Sequence, residues 1–380
     1  MPADSLIRTD VVGGLGVITL HRPRALNALT LEMVRELTVV LRGWATDPAV
    51  LAVLLRGSAR PPVEGKPVAT HFCAGGDIRF MHDAALAGDP AIEDFFTEEY
   101  ALDHLIHVYP KPTVAWMDGI TMGGGMGLAQ GCRLRVATAS LRMAMPETRI
   151  GLFPDVGGGY FLSRLAGHAG EYLGVVGPHL DVTDALALGL ADVHAESACL
   201  ALLLDGLRAG PAQDADELMA RVRDHVAQHP LNALPEATTT ARFADIDRHF
   251  SGHTLQDIVA SLETARAAGD AWAAETLQHM AGHSPLMMGV TLEQIRRARS
   301  MPLAEVFRME RTMVRHCFQL RKGRDSETVE GVRALVVDKD HAPRWRPSTV
   351  AEVQPEMVEA FFEAVWPPHA HPLRELHDPR

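Results

Sequence analysis

Three consecutive glycines, Gly123-Gly124-Gly125, with Gly127 two residues on, constrain this chain more than any other stretch. Glycine adopts positive φ at little cost and lets the backbone approach a ligand or a neighbouring segment closely. The stretch then turns helical in character, so the expectation is a helix that begins within residues 123–127. Its first N–H groups have no partner inside the helix and face whatever lies in front of them. Two carboxylates follow in apolar surroundings, Glu147 after Met145-Pro146 and Asp155 after Phe153-Pro154. Backbone donors for a developing oxyanion, with isolated carboxylates nearby, are the components of acyl chemistry. A glycine-rich turn alone, or two surface acids alone, would carry no such meaning. Both in one segment do.

From the N-terminus, residues 11–21 have the β-branched content of a strand, with Gly13-Gly14 as a turn. Pro23 and Asn27 break it, and Thr30 is placed to cap a helix. Met33, Val34, Leu37, Val40, Leu41 and Trp44 keep amphipathic helical spacing, and residues 51–55 read as a buried strand of a mostly parallel sheet. Strand, helix, strand at this spacing is an α/β signature. A loop at residues 59–70 delivers His71-Phe72-Cys73-Ala74-Gly75-Gly76-Asp77. The next helix, at residues 90–109, carries an apolar stripe of Ile92, Phe95, Phe96, Leu102, Leu105 and Ile106, and Glu99 falls on it. A carboxylate on a buried face is costly unless paired or used. Glu99 is therefore either an interior partner of an arginine or an active-site acid.

Residues 113–117, 133–137 and 141–145 read as strands, residues 160–165 as a glycine-led helix, and Thr183 as the cap of a helix at 184–188. From Cys199 onward strand signals nearly vanish. Helices are expected at residues 200–208, 215–228, 255–268, 271–280, 286–299 and 303–320, then an extended segment at 332–337 and a closing helix at 349–365. The expected organisation is a catalytic core at residues 1–198 and a mainly helical region at residues 199–380 packing on it.

A net charge of −12 argues against a nucleic-acid partner, since phosphate binding needs a basic surface. No apolar run approaches the ~20 residues needed to span a bilayer. The first ten residues lack the marks of a leader, and four scattered cysteines read as reduced thiols, so the expectation is a cytoplasmic protein. Of the 19 histidines, His369 and His371 alone stand out at ligand spacing, and they are taken as a solvated end. With no GxSxG, HExxH or Walker loop either, no structural metal is expected.

The stretches HRPRALNALT, FCAGGDI, KPTVAWMDGITMGGGMGLAQGCRLRVAT and MPETRIGLFPDVGGG resemble the crotonase (enoyl-CoA hydratase/isomerase) superfamily over residues 6–195. SPLMMGVTLEQIRRA and EGVRALVVDKDHAPRW extend the likeness to the branch that hydrolyses short 3-hydroxyacyl-CoA thioesters. The resemblance implies a crotonase-like α/β spiral of ββα units with a largely helical C-terminal region. It implies an oxyanion hole from the amides of Gly76 and Gly124, worth ~3–4 kcal/mol per well-placed donor. Gly75, Asp77 and Gly123 flank those amides on the substrate. Glu147 and Asp155 become the catalytic carboxylates, and Glu99 a further active-site acid that contacts substrate.

One departure is informative. A typical hydratase of the superfamily has a second glutamate three residues after the middle glycine, and here that position is Gly127. Hydration needs both acids, so thioester hydrolysis is the reading. Glu147 either attacks to give a mixed anhydride or serves as base for water. Asp155 holds the 3-hydroxyl or tunes Glu147. The expected substrate is 3-hydroxyisobutyryl-CoA first, 3-hydroxypropionyl-CoA second, with a place in valine degradation. No cofactor is expected, coenzyme A being part of the substrate, and Arg22 and Arg24 are candidates for its phosphates. The partners are the acyl-CoA, no nucleic acid and no membrane, with self-association left open. The competing activities are hydration or isomerisation of an enoyl-CoA, and acyl-CoA binding without chemistry.

Overall fold

A computed structural model describes residues 5–60 and 69–378, so most of the loop expected at residues 59–70 lies outside the described residues. The chain forms two compact units, each assembled from separate stretches and each drawing on both sides of residue 198. The first comprises Met1–Gly76, Leu102–Ala144 and His179–Ala241; the second comprises Asp77–Ala101, Met145–Pro178 and Arg242–Arg380.

In the first unit the strands are β1 (Ile7–Val12), β2 (Leu15–Leu20), β3 (Ala52–Gly57), β4 (Thr113–Met117), β5 (Ile120–Met122), β6 (Leu134–Ala137), β7 (Arg142–Ala144) and β8 (Val193–His194). β1 and β2 form a hairpin turned by Gly13 and Gly14, both at positive φ, as a tight two-residue turn requires. The main sheet runs β1-β2-β3-β4-β6-β8, and every pair after the hairpin is parallel; β5 and β7 form a second parallel pair. β2 and β4 are buried at every residue, as strands covered on both faces must be. On one face Val17, Leu54, Val114, Trp116 and Val136 pack with Leu203 and Leu207 of the helix Cys199–Ala209 and Leu218 and Val222 of Ala215–Gln228. The helix Leu31–Thr46 starts where expected, with Thr30 Oγ1 accepting from the Met33 N–H at 3.2 Å.

The second unit is helical: Ile78–Ala87, the start of Ala91–His107, Gly158–Leu162, Ala169–Val176, Phe243–Phe250, Leu255–Ala267, Ala271–Met280, Pro285–Ala298, Leu303–Gln319, Glu327–Val332 and Pro355–Glu359. Gly174 lets Ala169–Val176 lie against Pro285–Ala298, because a Cβ there would stand 2.7 Å from Ile295 Cδ1. Two ion pairs inside this unit involve a buried charge: Glu171 with Arg299 at 2.5 Å, and Arg311 with Glu93. Removing one partner of such a pair costs about 3–5 kcal/mol. Among the described residues no helix is long and apolar enough to cross a membrane.

Four local expectations are corrected. Residues 332–337 are not extended: the helix Glu327–Val332 continues into a π-helical turn, Arg333–Val337. The valines favour a strand, but Arg333 closes ion pairs with Glu330, Asp338 and Asp340 across successive turns, and Gly331 lies against the Ile150 backbone. Residues 349–365 are not one helix but Val350–Glu352 and Pro355–Glu359, because Pro355 cannot donate to a preceding turn. The helix expected from Thr183 is capped instead by Asp181, which accepts from Thr183 and Asp184 at 2.8 and 3.0 Å. The C-terminal segment is docked rather than solvated at His371, which is 7% exposed, with Nε2 donating to Arg308 C=O and Nδ1 accepting from Leu373 N–H.

Candidate active site

The backbone donors lie in the first unit. Asn27 is fully buried, and its Nδ2 donates to His71 C=O at 2.6 Å and Ser58 C=O at 3.2 Å. Leu26 C=O accepts from Ala74 and Leu29 N–H donates to Gly75 C=O, so the segment Leu26–Leu29 fixes the one that carries Gly75 and Gly76. That second segment also pairs with β5 through Cys73, whose N–H and C=O bond Ile120 and Met122 at 3.0 Å each. Gly75 sits at φ +104°, and a Cβ on it would lie 3.5 Å from the Gly124 nitrogen. The expected pair of loops is thus together: Gly75 and Gly76 beside Gly123 and Gly124. Two glycines of the triplet have a steric reason. Gly123 holds φ +49° ahead of the helix Gly124–Gln130, and a Cβ on Gly125 would stand 2.3 Å from Cys73 C=O. Among the described backbone hydrogen bonds, the N–H groups of Gly76 and Gly124 donate to none. Asp77, expected on the substrate, caps the helix Ile78–Ala87 by accepting from Phe80 N–H at 3.2 Å.

The carboxylates lie in the second unit. Glu99 and Tyr100 come from the helix Ala91–His107, Glu147 opens a 3-10 turn at Glu147–Ile150, and Asp155 precedes the glycines that start Gly158–Leu162. Glu99 is 2% exposed, and Glu147 and Asp155 are each 5% exposed. Tyr100 Oη donates to Asp155 Oδ2 at 2.8 Å. Oε1 of Glu99 and Oε2 of Glu147 have no hydrogen-bond partner among the described residues, which leaves them for a substrate or water. Among the described residues no ion pair joins Glu99 to an arginine, and the charge that acts on it is that of Asp155. Behind Asp155, Glu310 accepts from Gly157 N–H at 2.8 Å and Gly159 N–H at 2.9 Å, and Gln294 Nε2 donates to Glu310 at 3.0 Å and Pro154 C=O at 2.7 Å. Val156 between them holds φ +54°, strained for a β-branched residue at a cost of about 1–3 kcal/mol. The Glu310 and Gln294 bonds on either side offset that strain.

Burial sets the charge states. It pushes Glu147 well above the usual carboxylate range, and the charge of Asp155 pushes it further; Glu99 is raised by the same two causes in the same order. Asp155 is pushed up by burial but only to about 6, because the Tyr100 hydroxyl and backbone donors favour its anion. Glu310 is pushed up to about 8 by burial, against the two glycine amides. Asp155 is therefore largely ionised at neutral pH, while burial and the Asp155 charge make the carboxyls of Glu99 and Glu147 hold their protons more tightly than ordinary ones. Carboxyls that feel one another's charge titrate as a coupled set.

Sequence reasoning passed over Tyr100, Glu310 and Gln294. The signal for Glu310 was present: it falls on the buried stripe Val306, Phe307, Met313, Val314 and Cys317, as Glu99 does on its own helix. Tyr100 and Gln294 read as ordinary helix residues. Arg22 ties its own loop through Nη1 to Ala28 C=O at 3.2 Å, while Arg24 is exposed.

The enoyl-CoA hydratase/isomerase family model matches residues 15–362. A mitochondrial 3-hydroxyisobutyryl-CoA hydrolase of Gallus gallus is 37% identical over 361 residues, 95% of this chain and 89% of its own. Its namesake in Xenopus laevis is 40% identical over 354 residues, 93% and 87%. A crystal structure of a carnitinyl-CoA dehydratase from Mycobacterium thermoresistibile superposes with a TM-score of 0.81 at 35% identity, covering 96% of this chain and 98% of its own. The relatives named mitochondrial overturn the cytoplasmic expectation, which is withdrawn. The four cysteines are buried and form no disulfide among the described residues.

Proposed function

The chain belongs to the enoyl-CoA hydratase/isomerase family, and from that premise we propose that it hydrolyses a short 3-hydroxyacyl-CoA thioester, 3-hydroxyisobutyryl-CoA foremost. The observation that carries this reading is the acid inventory. The helix Gly124–Gln130, GGMGLAQ, holds no carboxylate where a hydratase needs one, while Glu147 and Asp155 are both buried and both raised by that burial, Asp155 only to about 6. The relatives named hydrolase over nearly the whole chain support it.

In this reading the Gly76 and Gly124 amides polarise the thioester oxygen. Glu147, once ionised, attacks the carbonyl carbon to give an anhydride that water opens, or takes a proton from the water that attacks. The tetrahedral intermediate collapses with loss of the CoA thiolate, which leaves as the thiol. Asp155, kept anionic by Tyr100, accepts the substrate 3-hydroxyl. Neither step calls for a metal or a redox cofactor, and the acyl-CoA is the partner the chemistry requires.

The resemblance to a dehydratase of known structure keeps water addition as the rival reading. Free-thiol release from 3-hydroxyisobutyryl-, 3-hydroxypropionyl- and isobutyryl-CoA, beside hydration of crotonyl-CoA, separates the two. Thiol release fastest on the 3-hydroxyacyl thioesters is expected. Rapid hydration without thiol release would replace the proposal with the rival.

A further inference from the structure

We propose that Cys199, His225 and His229 bind a divalent transition metal of the zinc class. Cys199 is the first residue of the helix Cys199–Ala209; His225 lies in the last turn of Ala215–Gln228, and His229 caps it. One ligand-capable atom from each lies within 4.8 Å of the other two. Ligands about 2.0–2.3 Å from a tetrahedral zinc ion stand roughly 3.3–3.8 Å apart, so the three need to close by about 1.5 Å at most.

The hydrogen bonds prepare the imidazoles for this role. One ring nitrogen of each meets a backbone carbonyl: His225 Nε2 donates to Cys199 C=O at 2.9 Å, and His229 Nδ1 to His225 C=O at 2.8 Å. Those tautomers leave a lone pair on His225 Nδ1 and on His229 Nε2. Metal-bound histidines commonly have this arrangement, the second nitrogen anchored to a carbonyl or carboxylate. Both histidines are half-buried, and Cys199 is buried. The backbone around them is fixed by Glu196 N–H to His229 C=O at 3.1 Å and Cys199 N–H to Glu196 C=O at 3.0 Å. A thiolate with two imidazoles favours zinc over magnesium or calcium, and three protein ligands leave a fourth position for water. Binding displaces the thiol proton, and the ion joins the two helices that cover the β-sheet.

The test is a cobalt(II) titration of the metal-free, full-length protein. Expected is a near-ultraviolet thiolate-to-cobalt charge-transfer band that saturates at one cobalt per chain and is displaced by zinc. His229→Gln is expected to weaken cobalt binding at least tenfold while the far-ultraviolet circular dichroism stays native, and Cys199→Ser to abolish the band. Absence of the band in the folded wild-type protein overturns the proposal, with no variant needed. A band unchanged in Cys199→Ser also overturns it, by placing the metal on another thiol. If Cys199→Ser does not fold, His229→Gln decides: undiminished affinity in that variant sinks the site.

Discussion

Tyr100→Phe removes a buried donor that bonds Asp155 Oδ2 at 2.8 Å and leaves the ring in place. A hydrogen bond to a charged group contributes about 1.5–3 kcal/mol. At ~1.36 kcal/mol per pKa unit, its loss moves the Asp155 carboxyl from about 6 to roughly 7–8. At pH 7 about nine-tenths of Asp155 is ionised in the wild type, against roughly a half to a tenth in the variant. If the anion is what accepts the 3-hydroxyl, kcat/KM for 3-hydroxyisobutyryl-CoA falls about twofold to tenfold at pH 7 and recovers by about pH 9. Isobutyryl-CoA, which lacks the hydroxyl, does not share the loss. The assay is initial-rate thiol release on both thioesters across this pH range. The Asp155 carboxyl is followed in parallel by isotope-edited NMR and assigned through Asp155→Asn. A loss independent of pH, or an Asp155 signal that titrates as in the wild type, would refute the account of how Tyr100 acts.

Glu147→Gln preserves shape but can neither attack nor accept a proton, so thiol release should fall by about 4–6 kcal/mol in barrier, a thousandfold or more; a tenth of wild-type kcat would place the chemistry elsewhere. Asp155→Asn should cost the 3-hydroxyacyl substrate far more than isobutyryl-CoA in kcat/KM, because a lost partner matters only where the hydroxyl is present. Equal losses would make Asp155 a participant in the general chemistry instead. Glu310, held at about 8 in the fold against an ordinary value near 4.5, binds its proton more tightly folded than unfolded. Its contribution to stability is therefore complete below about pH 4.5 and is lost as pH rises through about 8. Glu310 should therefore make the thermal midpoint drop between about pH 5 and 8 and add no further fall above that, and Glu310→Gln should flatten the drop; a variant whose midpoint falls as steeply as the wild type contradicts the assignment.

Much of the chain was legible because its signals are local. A strand such as β4 is a run of apolar residues, the helix Leu31–Thr46 begins at its capping threonine, and Gly13-Gly14 mark a tight turn wherever they occur. The expected failures had a common cause. Residues 332–337 carry strand-forming valines, and their helical path rests on ion pairs of Arg333 and on the close approach of Gly331 to Ile150, neither of which a propensity records. The nearness of Cys199 to His225 and His229 is likewise not written in the chain, because Cys199 lies 26 residues upstream of His225 and only the packing of two helices brings them together.

The sequence by itself determined which residues are available for chemistry: a glycine triplet, two carboxylates after prolines, and Glu99 on an apolar stripe. Their identity and spacing are properties of the chain, and periodicity alone marks which are buried. The tertiary structure decided how those acids are charged. Tyr100, next to Glu99 in sequence, reaches Asp155 across 55 residues, and Glu310 reaches the amides of Gly157 and Gly159 across about 150. A carboxyl's proton affinity depends on the water removed from around it and on the donors that replace that water. Both are set by segments distant along the chain, so the protonation of Glu147 and Asp155 exists only once the chain has folded.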